Sequence, residues 1–199
     1  MKKGGEKVMI DWEKSGFFKG FTPTKKASKE PLLAYTKAEN HFSLQEMQTK
    51  EGFLGILADD VIMLDADTEE ASEALLKIIQ EEKLSCMVTQ RENGRGIHVY
   101  FYDLNETVSQ NYTGVTLACG SIVDIKIGRR NGYDCLKFNG DERYIIYDCP
   151  PYQNIPKFFL PLKGFKENFA SMGEGDGRNQ TLFNYILTLQ SHDFTNEET

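Results

Sequence analysis

The sequence lacks three features that mark well-defined classes of protein. Its four cysteines include no Cys-x-x-Cys pair, so we expect reduced cysteines and no zinc site or disulfide framework. No apolar run approaches the ~18 residues that a membrane-spanning helix needs. The basic N-terminus, residues 1–5, is followed by no apolar signal core. We therefore expect a cytoplasmic protein with no membrane partner.

Basic residues are also in short supply. The chain has 23 Lys and Arg residues against 30 Asp and Glu residues, a formal net charge of −7. This balance argues against wholesale nonspecific binding of nucleic acid, because phosphate contacts need Lys and Arg. Local fields can still be positive. Two segments are locally basic: residues 19–29, with three closely spaced lysines, and residues 126–130.

The pattern of apolar residues predicts an α+β fold with a mostly antiparallel sheet and helices packed on it. A capping box at Ser43 predicts a short helix. Apolar stretches predict strands at 53–57, 61–64 and 121–127, a hairpin joining 86–89 to 97–102, and a second hairpin joining 136–138 to 144–147. Thr68 is typical of an N-cap, and the helical spacing of Ala74, Leu75, Ile78 and Ile79 predicts a helix after it.

The C-terminal part has a different composition. Residues 171–179 are rich in Gly, Asp and Glu and indicate a linker. Residues 180–199 contain an amphipathic pattern, which predicts the start of a helical region. Because such a helix needs a partner for its apolar face, we expect that region to be truncated here. Residues 1–170 are then one main domain.

A pair of acidic residues follows the apolar run 61–64. Residues two apart in a strand point to the same side, so Asp65 and Asp67 project from one face, roughly 6.6 Å apart along the strand. Carboxylates at this spacing can bracket one or two Mg²⁺ or Mn²⁺ ions, as two-metal phosphoryl transfer requires. The alternative is a strand end with two exposed acids that favour the helix after it.

His98 follows a glycine-containing turn that also carries Arg91 and Arg95. It shares a strand face with Tyr100, and glycines before it allow a ligand to approach the backbone. A phosphate-contacting histidine is one interpretation. The alternative is a half-buried histidine bonded to the backbone.

Asp124 interrupts the apolar strand 121–127. Val123, Ile125 and Ile127 are expected to face the core, with Asp124 and Lys126 on the other side. An acid in such a strand is costly unless it is solvated, paired or bound to metal. Asp124 is therefore either a third metal ligand, near a basic loop with Arg129 and Arg130, or the partner of Lys126.

Together these segments resemble the archaeo-eukaryotic primase superfamily, in particular the bifunctional primase–polymerase domains of phages, plasmids and other mobile elements. Asp65-Ala66-Asp67 resembles the family's first motif, Gly96-Ile97-His98 its second, and Ile122-Val123-Asp124 its third. The segment from Phe21 to Pro23 and the start of the C-terminal helix also resemble this branch. The similarity extends over roughly residues 17–190.

The resemblance implies a fold, an activity and a set of ligands. The fold would be an N-terminal α/β unit joined to a sheet like that of an RNA-recognition motif (RRM-like), with the site in the cleft between them. Asp65, Asp67 and Asp124 would hold two Mg²⁺ or Mn²⁺ ions. His98 would contact the nucleotide's phosphates, helped by the basic residues Arg91, Arg95, Lys126, Arg129 and Arg130.

The expected function is template-directed nucleotidyl transfer, as a DNA primase or DNA polymerase, in replication of a phage or mobile element in a bacterial cytoplasm. The partners would be single-stranded DNA, ribo- or deoxynucleoside triphosphates and a helicase domain or protein. Two alternatives remain open on the residues: a two-metal nuclease, and a non-catalytic module that binds nucleic acid.

Overall fold

The structure is a computed structural model, and it describes residues 12–92, 94, 96–162 and 178–197. It has an α+β fold with two antiparallel sheets and few helices. The strands are β1 (Phe18–Pro23), β2 (Phe53–Leu57), β3 (Val61–Ala66), β4 (Met87–Gln90), β5 (Ile97–Tyr102), β6 (Tyr112–Thr116), β7 (Ile122–Ile127), β8 (Tyr133–Phe138), β9 (Asp141–Glu142) and β10 (Tyr144–Asp148). The α-helices are α1 (Leu44–Met47), α2 (Glu69–Glu81) and α3 (Arg178–Ser191).

The larger sheet has six strands in the order β10-β4-β5-β3-β7-β6. Strand β3 lies inside it, and its six residues are all buried. One face of β3 presents Ile62 and Leu64 to helix α2, whose Leu75 and Ile79 belong to the same core cluster. The other face presents Val61 and Met63 to the second sheet. A strand covered on both sides is apolar throughout, which is the pattern that predicted it.

The smaller sheet has the order β1-β2-β8-β9 and packs over that second face. Phe17, Phe18 and Phe53 form an aromatic core with Tyr100 of the larger sheet, whose ring stacks on that of Phe17 at a centroid distance of 5.4 Å. The molecule therefore has three layers here: helix, six-stranded sheet, four-stranded sheet.

Where the resemblance implied an N-terminal α/β unit, the residues described from 12 onward form a second antiparallel sheet with one turn of α-helix, α1, and a 3-10 turn at Ala38–Asn40. The capping box predicted at Ser43 is present, because the Ser43 side chain accepts from the Glu46 amide and Glu46 returns the bond. Two of the four strands, β8 and β9, come from the second half of the chain. The smaller sheet is thus not an independent N-terminal unit.

The prediction of a second hairpin was wrong in its pairing. The turn at Asn139 and Gly140 exists, with both residues at positive φ (50° and 82°). Its return strand is the two-residue β9, and the next segment, β10, pairs with β4 in the larger sheet. The local turn signal was correct, but long-range packing decides which strand lies beside β10.

Helix α3 packs against the edge of the domain. Leu189 and Phe194 form a small core with Ala118 and Leu162, and the Tyr185 hydroxyl donates to the Ala118 carbonyl. Most of the linker expected at 171–179 lies outside the described residues. Within the described part of the chain, no helix is both long enough and apolar enough to cross a membrane.

Candidate functional site

The acid pair lies where β3 ends. Asp65 is inside the strand and 8% exposed, whereas Asp67 follows the strand and is exposed. Thr68 then caps helix α2, as predicted, by accepting a hydrogen bond from the Ala71 amide at 3.1 Å. A strand that runs directly into a capped helix holds the backbone on both sides of Asp67, which gives this carboxylate a defined starting position.

The three motifs meet in one row across the larger sheet. Asp65 stands opposite His98 of β5 on one side and opposite Asp124 of β7 on the other. Directly opposite residues in antiparallel strands have side chains on the same face, about 5 Å apart. His98, Asp65 and Asp124 are therefore neighbours on the face that looks toward the smaller sheet.

Gly96 allows the second motif to approach the first. A Cβ on Gly96 would lie 2.4 Å from the Ala66 carbonyl oxygen and 3.2 Å from the Asp67 Cα. Any larger residue would push the start of β5 away from the end of β3. Close packing against the acid pair thus explains why the first residue of Gly96-Ile97-His98 is small.

Both carboxylate oxygens of Asp65 already face basic groups. Oδ1 lies 2.9 Å from His98 Nε2, and Oδ2 accepts a hydrogen bond from Lys126 Nζ at 3.1 Å. Burial by itself would raise the pKa of Asp65, but His98 and Lys126 hold it well below its usual range. For Lys126, burial alone would lower the pKa, and the nearby carboxylates, Asp65 first, raise it instead.

The structure adds residues that were not predicted from the sequence. Asp134 of β8 is fully buried, and its Oδ1 lies 2.8 Å from His98 Nδ1. The Tyr100 hydroxyl donates to Asp134, and Arg143 Nε lies 3.7 Å from it. Burial would raise the pKa of Asp134, but His98 and Arg143 keep it well below its usual range. The signal was an acid between apolar or aromatic neighbours in a strand, as for Asp124.

Asp67 and Asp124 form the more open side of the cluster. Burial, then Asp65 and Asp124, raise the pKa of Asp67 above its usual value, which reflects repulsion between the three carboxylates. Asp124 does not pair with Lys126. Its Oδ1 accepts a hydrogen bond from the Gly114 amide at 2.8 Å, so the pairing considered from the sequence is replaced by a bond to β6.

The donor set fits Mg²⁺ or Mn²⁺ in its chemistry, since three hard carboxylates are neighbours. Among the residues described, however, no three His, Cys, Asp or Glu side chains are arranged to hold a cation between them. The ammonium of Lys126 supplies positive charge at Asp65 instead. A cation bound at Oδ2 of Asp65 would displace the Lys126 ammonium, whose side chain is 32% exposed.

Arg91 has a structural role in this arrangement. Its guanidinium donates to the carbonyl of Asp141 at 2.8 Å and to that of Cys135, which ties the β4–β5 turn to the smaller sheet. Arg95 lies outside the described residues. At this turn, Arg91 therefore donates to backbone carbonyls, where the sequence had predicted a contact with the nucleotide.

Arg129 and Arg130 are not brought to the acid cluster. They follow Ile127, the last residue of β7, which is three residues and about 10 Å beyond Asp124. Arg129 contacts buried Asp103 at 2.5 Å and also donates to the Val108 carbonyl. Arg130 donates to the Ser109 carbonyl at 3.0 Å. Both residues stabilise the opposite end of the sheet. Of the four described members of the predicted basic group, Lys126 is the one that lies at the acids.

No model of a known protein family matches this sequence, and no significantly similar sequence is found among curated proteins.

Proposed function

We propose that this chain is a nucleotidyltransferase of the primase–polymerase kind, which joins nucleotides on a single-stranded template with Mg²⁺ or Mn²⁺. One observation carries the proposal. Asp65, His98 and Asp124 come from three separate motifs, each about thirty residues from the next in sequence, and stand side by side on adjacent strands. If Asp65, His98 and Asp124 each had an unrelated structural role, nothing would require them to lie side by side.

The strand order supports the finer expectation of an RRM-like sheet. Strand β3, helix α2 and strands β4 and β5 form a continuous unit, and β7 completes four adjacent strands in the order β4-β5-β3-β7. The RNA-recognition motif uses one face of a sheet of this kind to bind bases. Here Asp65, His98 and Asp124, which we call the acid row, stand at the end of β3 on the face opposite helix α2, the face that packs against the smaller sheet.

In the proposed reaction, Asp65, Asp67 and Asp124 would hold the divalent ions. When bound, such ions activate the attacking hydroxyl and neutralise the leaving pyrophosphate. Both ring nitrogens of His98 face carboxylates, so His98 orients Asp65, and Asp134 in turn orients His98. Lys126 lies at Asp65 and is partly exposed, and we assign the contact with the triphosphate to it.

The test is primer extension and de novo synthesis on single-stranded DNA with labelled nucleotides and either Mg²⁺ or Mn²⁺. Asp67→Asn and Asp124→Asn are the informative variants, because neither residue is fully buried and both proteins should fold. Asp59→Asn, an exposed acid outside the cluster, is the matched control. We expect the two site variants to lose at least about 100-fold in rate and the control to lose nothing. Full activity in Asp67→Asn would refute the site.

A specific observation favours a second function, that of a non-catalytic nucleic-acid-binding module. Both carboxylate oxygens of Asp65 already contact protein groups, His98 Nε2 at 2.9 Å and Lys126 Nζ at 3.1 Å. A module of this kind would show no change in melting temperature when Mn²⁺ and nucleotides are added, because only ligands of the native state raise stability. Degradation of DNA without added nucleotides would instead indicate the nuclease.

A further inference from the structure

A lysine-rich pocket lies at one end of the smaller sheet, away from the acid row. It forms a cavity of about 460 Å³ between the end of β1, the segment before β2 and the β8–β9 turn. We call it the lysine pocket, and its lining includes Lys25, Lys26, Leu32, Lys50 and Asn139. This volume is within the range of sites that bind small molecules or single nucleotides.

The charges in the lysine pocket are only partly balanced. Lys25 is paired with Glu30 at 2.7 Å, but both side chains remain more than half exposed. Lys26 and Lys50 are exposed, and no acidic side chain in the described part of the chain lies within ion-pair distance of either. Glu51 also lines the pocket, so the lining carries three lysines and one carboxylate. In a protein with a net charge of −7, this local excess of lysine produces a positive field.

Apolar surface accompanies these lysines. Leu32, which lines the pocket, is 56% exposed. The half-buried ring of Phe138, next to Asn139, has Lys29 Nζ 5.9 Å from its centroid. A ligand that complements the pocket therefore carries negative charge and flat apolar groups together. Single-stranded nucleic acid has both, as phosphates and as unpaired bases.

We propose that the lysine pocket binds the backbone of single-stranded DNA, with Lys26 and Lys50 contacting phosphates and Leu32 covered by a base. The choice of DNA rests on the proposed function. Strand β8 leads from the pocket toward the acid row, because Phe138 lies four residues, or about 13 Å, from Asp134, whose Oδ1 is 2.8 Å from His98 Nδ1. At about 3.4 Å per stacked nucleotide, roughly four nucleotides cover that separation.

The test is binding of a fluorescent oligothymidylate to the full chain, measured by anisotropy over a range of salt concentrations. The double variant K26E/K50E is compared with K77E/K83E, which has the same change in net charge on exposed lysines of α2 and the segment after it. We expect K26E/K50E to weaken binding at least about tenfold and to reduce the salt slope by about 1.4, since each single-strand phosphate contact contributes about 0.7. K77E/K83E should resemble the wild type.

Three results would overturn the proposal. They are no measurable binding by the wild type, equal weakening in the two double variants, and displacement of the oligonucleotide by inorganic pyrophosphate at equal concentration of phosphate groups. The last would identify the pocket as a small-anion site. Each variant's melting temperature is measured beside its binding, and exposed positions should leave it unchanged.

The outcomes separate this inference from the proposed function. If K26E/K50E synthesises DNA with an unchanged KM for template, the lysine pocket is not the template site although the enzyme activity stands. If the wild type makes no DNA but loses oligonucleotide binding in K26E/K50E, the pocket stands and the nucleotidyltransferase proposal fails. If both stand, K26E/K50E raises the KM for template and leaves kcat near the wild-type value.

Discussion

The substitution Asp134→Asn tests the buried network behind the acid row. Asp134 is fully buried and lies 2.8 Å from His98 Nδ1 and 3.7 Å from Arg143 Nε. Asparagine has nearly the same shape but no charge, so the guanidinium of Arg143, only 9% exposed, loses its buried counter-charge. Removing one partner of a buried ion pair typically costs about 3–5 kcal/mol, because the other charge stays desolvated.

For a chain of this length, each 1 kcal/mol of stability corresponds to about 2–4 °C in Tm. We therefore expect Asp134→Asn to lower Tm by about 6–20 °C, measured by calorimetry and checked by urea unfolding. The matched control is Asp59→Asn, which removes a 2.5 Å contact with Lys19 from a side chain that is 76% exposed. Exposed pairs contribute at most about 1 kcal/mol. Equal losses in the two variants would show that the network carries no special stability.

The pH dependence gives a second check on Asp134. Its pKa lies below the unfolded value of about 3.9, so its ionisation stabilises the fold above that pH and the contribution is lost as the pH falls. The difference in unfolding free energy between the wild type and Asp134→Asn should be present near neutral pH and should shrink below about pH 4. A difference that grows under acid conditions would contradict this assignment.

Two further predictions concern packing near and far from the acid row. Gly96→Ala should lower the free energy of unfolding, measured in urea, by about 1–3 kcal/mol, because the new Cβ would lie 2.4 Å from the Ala66 carbonyl oxygen. The control Gly114→Ala has open space around its Cβ but a φ of 59°, and it should lower that free energy by only about 1 kcal/mol. Arg129→Met should cost up to about 3–5 kcal/mol, because buried Asp103 loses its counter-ion and keeps only the neutral donors of Thr107 and Val108. Nucleotide binding below its Tm should match the wild type. Weaker nucleotide binding by Arg129→Met would instead show that Arg129 contributes to the nucleotide site.

Several elements were predictable because their signals are local. The alternation in β7 predicted buried Val123 and Ile125 with Asp124 on the other face, and the structure confirms it. The helix caps at Ser43 and Thr68 are also confirmed, since a cap needs only the next three residues. The position of the acid pair at the end of β3 was also predictable, because the apolar run just before it marks the strand.

Other features depend on contacts between distant segments. Strand β10 leaves the hairpin that its turn suggested, because pairing with β4 completes the larger sheet. Arg91 and Arg129 are as basic in sequence as Lys126, but backbone carbonyls and Asp103 engage the two arginines elsewhere. The contact of Asp134 with His98 was not predictable from the sequence, because it depends on how the two sheets pack against each other.

By itself, the sequence determined strands β2, β3, β5 and β7, the helix caps at Ser43 and Thr68, and which acids interrupt apolar strands, because these depend on neighbours within a few residues. Only the tertiary structure decided that Asp65, His98 and Asp124 form one row, that Asp134 and Arg143 lie behind it, and that Lys126 reaches Asp65. The physical reason is strand register: which residues stand opposite each other is set by the packing of whole sheets, and each residue's charge acts only on the partners that this packing provides.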